Sequence, residues 1–190
     1  MENTSSPVRL TYADLCRLPD DGMRHELIDG EHYVTPAPRP KHQRVSGRLH
    51  LRLGTFLENH PLGRVYYAPL DVVLTDFDCV EPDLLYVSRE RERRQMTEKY
   101  LEGAPDLVVE ILSPSTKQVD QGVKHRLYER FLVKEYWIVD PEKETVKVYR
   151  QEDDRLQLCE ELSRQGGMSV SVLTTPLLPG LAIPLDKIFD

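Results

Sequence analysis

The sequence predicts a mixed α/β domain, a central mixed β-sheet flanked by helices, on three observations. Short runs of β-branched and aromatic residues recur between turn residues, among them Val65-Tyr66-Tyr67, Asp71-Val72-Val73-Leu74 and Leu84-Leu85-Tyr86-Val87. Helical spacing interrupts them at Val45, Leu49, Leu53 and Phe56, and again from about Lys117 to Leu132. The run Leu107-Val108-Val109-Glu110-Ile111-Leu112 is apolar at every position but one, the pattern of a buried strand. With 190 residues, residues 1–190 are expected to form one domain with its core built around the sheet.

The elements follow in order. Thr11 is a natural N-cap with an acid, Asp14, at the third helical position, and Pro19 keeps that first helix short. His25 to Val34 reads as a hairpin, because Asp29-Gly30 suits a type I′ turn between two extended runs. Pro36, Pro38 and Pro40 stiffen a loop before a helix of roughly four turns that stops at Pro61. Arg89 to Arg94 is charged throughout, a solvated loop or helix start. Glu135 to Val139 and Thr145 to Tyr149 are strands joined by the turn Asp140-Pro141-Glu142-Lys143, and Pro179 to Leu185 suits an edge strand because its prolines disturb a central one.

Composition removes several function classes. No apolar run approaches the roughly 20 residues of a membrane span, and residues Met1 to Pro7 carry neither a basic nor an apolar segment, so a cytoplasmic protein is expected. Cys16, Cys79 and Cys159 are odd in number and widely spaced, which argues against a disulfide framework or a cysteine zinc site. A net charge of -7, from 32 acidic and 25 basic residues, disfavours coating nucleic acid by charge alone, so any such contact needs local basic patches.

Glu110 is the anomaly of its strand. A carboxylate amid apolar neighbours costs several kcal/mol unless a cation or hydrogen bonds compensate it, and a metal ion or a single Lys or Arg partner are equally good readings. Asp83 follows Pro82 at a strand start, well placed to share a cation with Glu110, although an Asp after Pro is more often a turn residue. Asp106 after Pro105 takes the turn reading, with a supporting acid as its alternative. Asp120, Lys124 and Tyr128 recur at i, i+4 and i+8 on one helix face, which by spacing alone is an exposed ion pair. Arg44, Arg48 and Arg52, near Lys41 and His42, form a second stripe that faces either a phosphate backbone or plain solvent.

The order of these motifs resembles the bacterial Uma-type family, labelled restriction endonucleases, within the PD-(D/E)XK superfamily. The residues that carry the likeness are Glu26-Leu27-Ile28-Asp29-Gly30-Glu31, Pro38 to Gln43, Glu81-Pro82-Asp83, Pro105-Asp106-Leu107-Val108-Val109-Glu110-Ile111-Leu112-Ser113-Pro114-Ser115-Thr116, then Asp120, Lys124, Tyr128 and Tyr136-Trp137-Ile138-Val139-Asp140-Pro141. The resemblance implies a restriction-endonuclease-like fold with a divalent metal at the sheet's edge. It implies Asp83 and Glu110 as metal ligands and Glu26 as a further acid, binding a second metal or positioning a water. The superfamily lysine two residues after the second acid is here Leu112, and Lys124 matches the lysine that the family supplies from the next helix. Two other departures are His25 where tyrosine is common and Leu132 where glycine is usual.

The expected chemistry is hydrolysis of phosphodiester bonds in DNA with Mg2+, for which Mn2+ can substitute, held by Asp83 and Glu110 while Lys124 orients water and stabilises developing charge. His42, Arg44, Arg48 and Tyr128 are the candidate substrate contacts, and a homodimer is expected by analogy with the two-fold symmetry of duplex DNA. Two rivals stand beside this reading. One is a catalytically silent nucleic-acid-binding or regulatory protein on the same fold. The other is a different hydrolase or structural dimer in which Glu110 and Lys124 pair without metal.

Overall fold

The computed structural model describes residues 9–113, 119–165 and 171–190. The amino-terminal stretch before Arg9, the Pro114-Ser115-Thr116 part of the motif and Lys117 at the expected helix start lie outside the described residues. Among the described residues no helix is long and apolar enough to cross a membrane.

Among the described residues two large sheets and a two-stranded ribbon, rather than one sheet, carry the strands. The six-stranded sheet runs in the order β11-β10-β9-β8-β6-β3, built from β3 (Gly63–Tyr67), β6 (Leu84–Ser88), β8 (Leu107–Ile111), β9 (Glu135–Asp140), β10 (Thr145–Glu152) and β11 (Arg155–Ser163). Its β8 and β9 are parallel and its other neighbours antiparallel, so it is mixed as expected. The hairpin β1 (Arg24–Ile28) and β2 (Glu31–Thr35) joins a separate five-stranded sheet, in the order β2-β1-β5-β4-β7, with β4 (Val72–Thr75), β5 (Asp78–Val80) and β7 (Leu101–Glu102). Periodicity identified the hairpin and β4 but could not say which sheet receives them, because pairing is decided between strands distant in sequence. The Pro184 segment is likewise not an edge of the main sheet; β13 (Ile183–Pro184) pairs with β12 (Val172–Leu173) as a small ribbon.

Helix α1 (Tyr12–Leu15) has the reciprocal capping box read from the sequence, the Thr11 hydroxyl accepting from the Asp14 backbone and the Asp14 carboxylate accepting from the Thr11 N–H. The long helix α2 (Pro40–Asn59) buries Val45, Leu49, Leu53 and Leu57 against one face of the six-stranded sheet, where Leu107, Val109, Ile111 and Trp137 meet them. Carboxy-terminal residues Leu173 to Phe189, including α5 (Asp186–Phe189), close this core. The other face, with Val108, Tyr136 and Ile138, packs on Ile28, Val72 and Val80 of the second sheet and on Leu127 and Tyr128 of α4 (His125–Arg130). Cover on both faces explains why β8 is apolar at every position but Glu110.

Charged Arg89 to Arg94 does form a helix, α3 (Arg89–Gln95). The helix anticipated from Lys117 to Leu132 is instead a π-helical turn, Val119–Lys124, followed by the short α4. Wider turns of this kind are rare and recur at functional sites. Asp106 sits at the bend that leads into β8, and its carboxylate is also buried and paired. It is 1% exposed, accepts from the Ser88 N–H at 2.8 Å, and pairs with Lys134 at 2.6 Å and Arg91 at 3.2 Å, tying β6, α3 and β9 together away from the candidate site.

Candidate active site

A cavity of about 210 Å³ opens where the two sheets, the start of α2 and the π-helical turn meet. Its acidic lining is Glu26 of β1, Asp83 before β6, Glu110 of β8 and Asp120 of the turn. The strand register explains the first convergence: Leu84 lies opposite Val109, so one residue further along the antiparallel pair Asp83 comes opposite Glu110. The Asp83 carboxylate then accepts the Ile111 N–H at 2.7 Å. Glu26 arrives from the second sheet, with Oε1 accepting the Glu81 N–H at 2.8 Å.

Lys124 stands among the other acids. Its Nζ lies 2.7 Å from Glu26, 3.1 Å from Glu110 and 3.8 Å from Asp120, and the residue is 4% exposed. The exposed ion pair that spacing alone gave is therefore overturned: the whole polar face of turn and helix points inward because it covers the face of β8 that carries Glu110. Tyr128 completes it, fully buried and donating from its hydroxyl to Glu110 Oε1 at 2.7 Å. The structure thus places Tyr128, expected as a substrate contact, behind Glu110 rather than on the lining of the cavity.

Asp83 has its own partners. Arg24 donates to Oδ1 at 2.8 Å and the His42 ring nitrogen Nε2 to Oδ2 at 3.0 Å. Although burial opposes ionisation, His42 and Arg24 hold the Asp83 carboxyl below the usual carboxylate range. Glu110 goes the other way: burial pushes it well above that range, Lys124 opposes, and Asp120, Asp83 and Glu26 push further. Burial alone would pull the Lys124 ammonium down, yet Glu110, Glu26 and Asp120 together hold it well above its ordinary value. Lys124 is therefore charged, and the surplus of carboxylates around it favours either a proton on Glu110 or an added cation.

The expected basic stripe lies elsewhere. His42, with Ser46 and His50 further along α2, lines the cavity and its continuation, whereas Arg44 and Arg52 are exposed and Arg48 half-buried on the opposite flank of the helix. Arg44 and Arg48 are thus not gathered with the acids. His42 is, although its Nδ1 is buried and lacks a hydrogen-bond partner among the described residues.

A family model described as "Uma2: Putative restriction endonuclease" matches residues 11–186. The chain belongs to the Uma2 family. A relative, the "Uncharacterized protein slr1290" of Synechocystis sp., is 28% identical over 138 residues, spanning 69% of this chain and 68% of that protein. The fold is shared with the crystal structure of "a putative nuclease belonging to DUF820" from Anabaena variabilis, with a TM-score of 0.77 at 20% identity over 95% of this chain and 97% of that one.

Within this Uma2 chain, Leu112 at the usual lysine position is 7% exposed and sits in the apolar cluster with Val108 and Leu127. The ammonium reaches Glu110 from Lys124 instead. One contributor escaped the sequence reading: Arg24, the cation on Asp83. Its signal was there, since strand alternation puts Arg24 on the same face as Glu26 two residues on.

Proposed function

We propose that the chain is a single-domain, magnesium-dependent endonuclease that hydrolyses phosphodiester bonds in DNA. The observation that carries this reading is the meeting of Asp83, Glu110 and Lys124, from three separate segments of the chain, in one cavity. Membership of the Uma2 family, whose model is described as "Putative restriction endonuclease", supports it, and the fold is one shared with "a putative nuclease belonging to DUF820".

The donor chemistry suits a divalent cation. Among the described residues four carboxylates face two enclosed cations, Lys124 and the half-buried Arg24, with Arg39 exposed at the mouth, so negative charge is in excess there. Carboxylate oxygens are the hard donors that Mg2+ and Mn2+ prefer. Among the described residues no three metal-type side chains yet converge on one point, because Lys124 and the Arg24–His42 pair hold the acids in place. Asp83 and Glu110 would hold the ion, with Glu26 a further acid or a water-positioning group. A bound ion would supply Lewis acidity toward a phosphate oxygen and a more acidic bound water.

The chain's own residues have defined tasks in the hydrolysis. Water attacks phosphorus and the bond to the leaving oxygen breaks; the proton lost by water is taken up by a carboxylate of the cluster or by solvent, and the leaving alkoxide takes a proton from solvent to become the alcohol. Lys124 supplies a fixed positive charge to the developing negative charge and orients the attacking water, at a site whose low dielectric strengthens the interaction. Tyr128 keeps Glu110 aligned, and Arg24 and His42 hold Asp83 ionised. The start of α2, with Pro38, Arg39 and His42 on the cavity, adds a helix end favourable to phosphate. A homodimer suits cleavage of both strands of a duplex.

The test is cleavage of supercoiled plasmid and of single-stranded DNA with Mg2+ or Mn2+, against EDTA and against Asp83→Asn and Glu110→Gln. Metal-dependent nicking lost in both variants is the expected result. Absence of both cleavage and calorimetric metal binding would leave the silent nucleic-acid-binding protein, the reading that Leu112 at the usual lysine position favours.

A further inference from the structure

A second groove continues from the cavity and shares Arg24, Pro38, His42 and Asp83 with it. Beyond these it runs along Ser46 and Gly47 of α2 toward His50 and Tyr67, enclosing about 400 Å³. Open space lies over Gly47, where an added Cβ would meet nothing within 4 Å. Tyr67 at the end of edge strand β3 is 60% exposed, the most exposed large hydrophobic side chain among the described residues. Its ring is not loose: His50 holds it in a near-perpendicular contact, centroids 4.7 Å apart at 73°. Past His50 a third groove carries Arg64, Arg89 and Arg93, with Glu58 and Glu92 also on its walls. Among the described residues, no acid but Asp83 lines the middle groove.

From this arrangement we infer that the groove along α2 and β3 is a subsite for an unpaired nucleobase next to the cleaved phosphodiester, with Tyr67 as its stacking platform, so that the substrate is single-stranded or frayed at the cut. The inference rests on the nucleolytic reading above and narrows its substrate class. A fixed, open aromatic ring offers a π-face to any base, and arginines beyond it suit the following phosphates. Bases inside a duplex are already stacked on both faces, so only an unpaired or flipped one can reach Tyr67.

The experiment measures binding by fluorescence anisotropy in EDTA, so that cleavage is not required, using a single-stranded oligonucleotide, the blunt duplex of the same sequence, and that duplex with a single-stranded overhang. The proteins are wild type, Tyr67→Ala and Tyr67→Phe. Wild type is expected to prefer the unpaired substrates, Tyr67→Ala to lose about 5- to 150-fold in affinity for them, the range of one base–aromatic stack, and Tyr67→Phe to retain it. A 2-aminopurine in the unpaired segment should be quenched by wild type and by Tyr67→Phe but not by Tyr67→Ala. Equal affinity for blunt duplex and overhang, or Tyr67→Ala binding as wild type does, overturns the inference. If metal-dependent cleavage persists in that case, the nuclease reading survives and only the subsite falls; if wild type neither binds nor cuts any of the substrates, both fall.

Discussion

Replacing Lys124 with methionine keeps the length and most of the volume of the side chain while removing the ammonium that Glu26, Glu110 and Asp120 share at 2.7, 3.1 and 3.8 Å. Removing one partner of a buried ion pair typically costs about 3–5 kcal/mol, because the other charge stays desolvated. For a chain of this length that corresponds to a fall in Tm of roughly 6–20 °C. The loss should depend on pH with a definite sign. Burial raises Glu110 in the folded chain and Lys124 is what opposes it, so the variant raises Glu110 further. A carboxyl raised on folding contributes stability that is complete below its unfolded value and is lost as pH rises through the folded one. The deficit of Lys124→Met against wild type should therefore be largest near about pH 8 and shrink toward about pH 5, where the acids left behind take up protons. Paired urea titrations at the two pH values measure it. A second arm adds Mg2+, which should raise the Tm of the variant more than that of wild type if the acids then turn to the ion. A variant as stable as wild type at the higher pH would refute the claim that Lys124 neutralises a desolvated acidic cluster.

Three further outcomes are expected. Glu81, pushed up to about 7 by burial and by the nearby Asp71 and Glu26, contributes stability that is present below its unfolded value and lost as pH rises toward 7; Glu81→Gln should therefore raise stability above pH 7 by about 1–2 kcal/mol, discounted for its partial exposure, and leave acid stability unchanged, as thermal melts across pH will show. Leu132 occupies the left-handed position of a Schellman motif, with φ +54° and with Val133 N–H bonded to Tyr128 O and Leu132 N–H to Glu129 O; Leu132→Gly should stabilise by about 0.5–1 kcal/mol in urea denaturation, since glycine carries no steric penalty there. Asp106→Ala leaves the Ser88 N–H without its acceptor and the partly exposed Lys134 and Arg91 without their anion, and should cost about 1–3 kcal/mol in urea denaturation, whereas Asp106→Asn, which still accepts the Ser88 N–H, should cost less.

Legibility differed from one residue to the next for physical reasons. Glu110 stood out because a charge in an apolar run breaks the pattern around it, and the structure gives it both an ammonium and a phenol. Lys124 was found only through the family likeness, since spacing alone could not distinguish a solvated face from one laid over a strand. The arginines of α2 are the same case: periodicity groups Arg44, Arg48 and Arg52 on one face but does not say whether that face meets a phosphate backbone or plain solvent. Leu132 is the reverse case, where a departure from a usual glycine in the sequence became a backbone position with φ +54°.

The sequence by itself determined the local structure and the class of the fold: the capping box at Thr11, the Asp29-Gly30 hairpin, the long helix before Pro61, and a buried strand interrupted by one acid. These follow from interactions within a few residues, or from side-chain periods that repeat along one element. Only the tertiary structure decided that the hairpin joins a second sheet, that Glu26, Asp83 and Glu110 meet, and that Lys124 and Tyr128 are buried over Glu110 while Arg24 and His42 take Asp83. Those pairings join residues 14 to 98 positions apart, Glu110 to Lys124 and Glu26 to Lys124, and a side-chain period fixes which residues share a face but not what that face is pressed against.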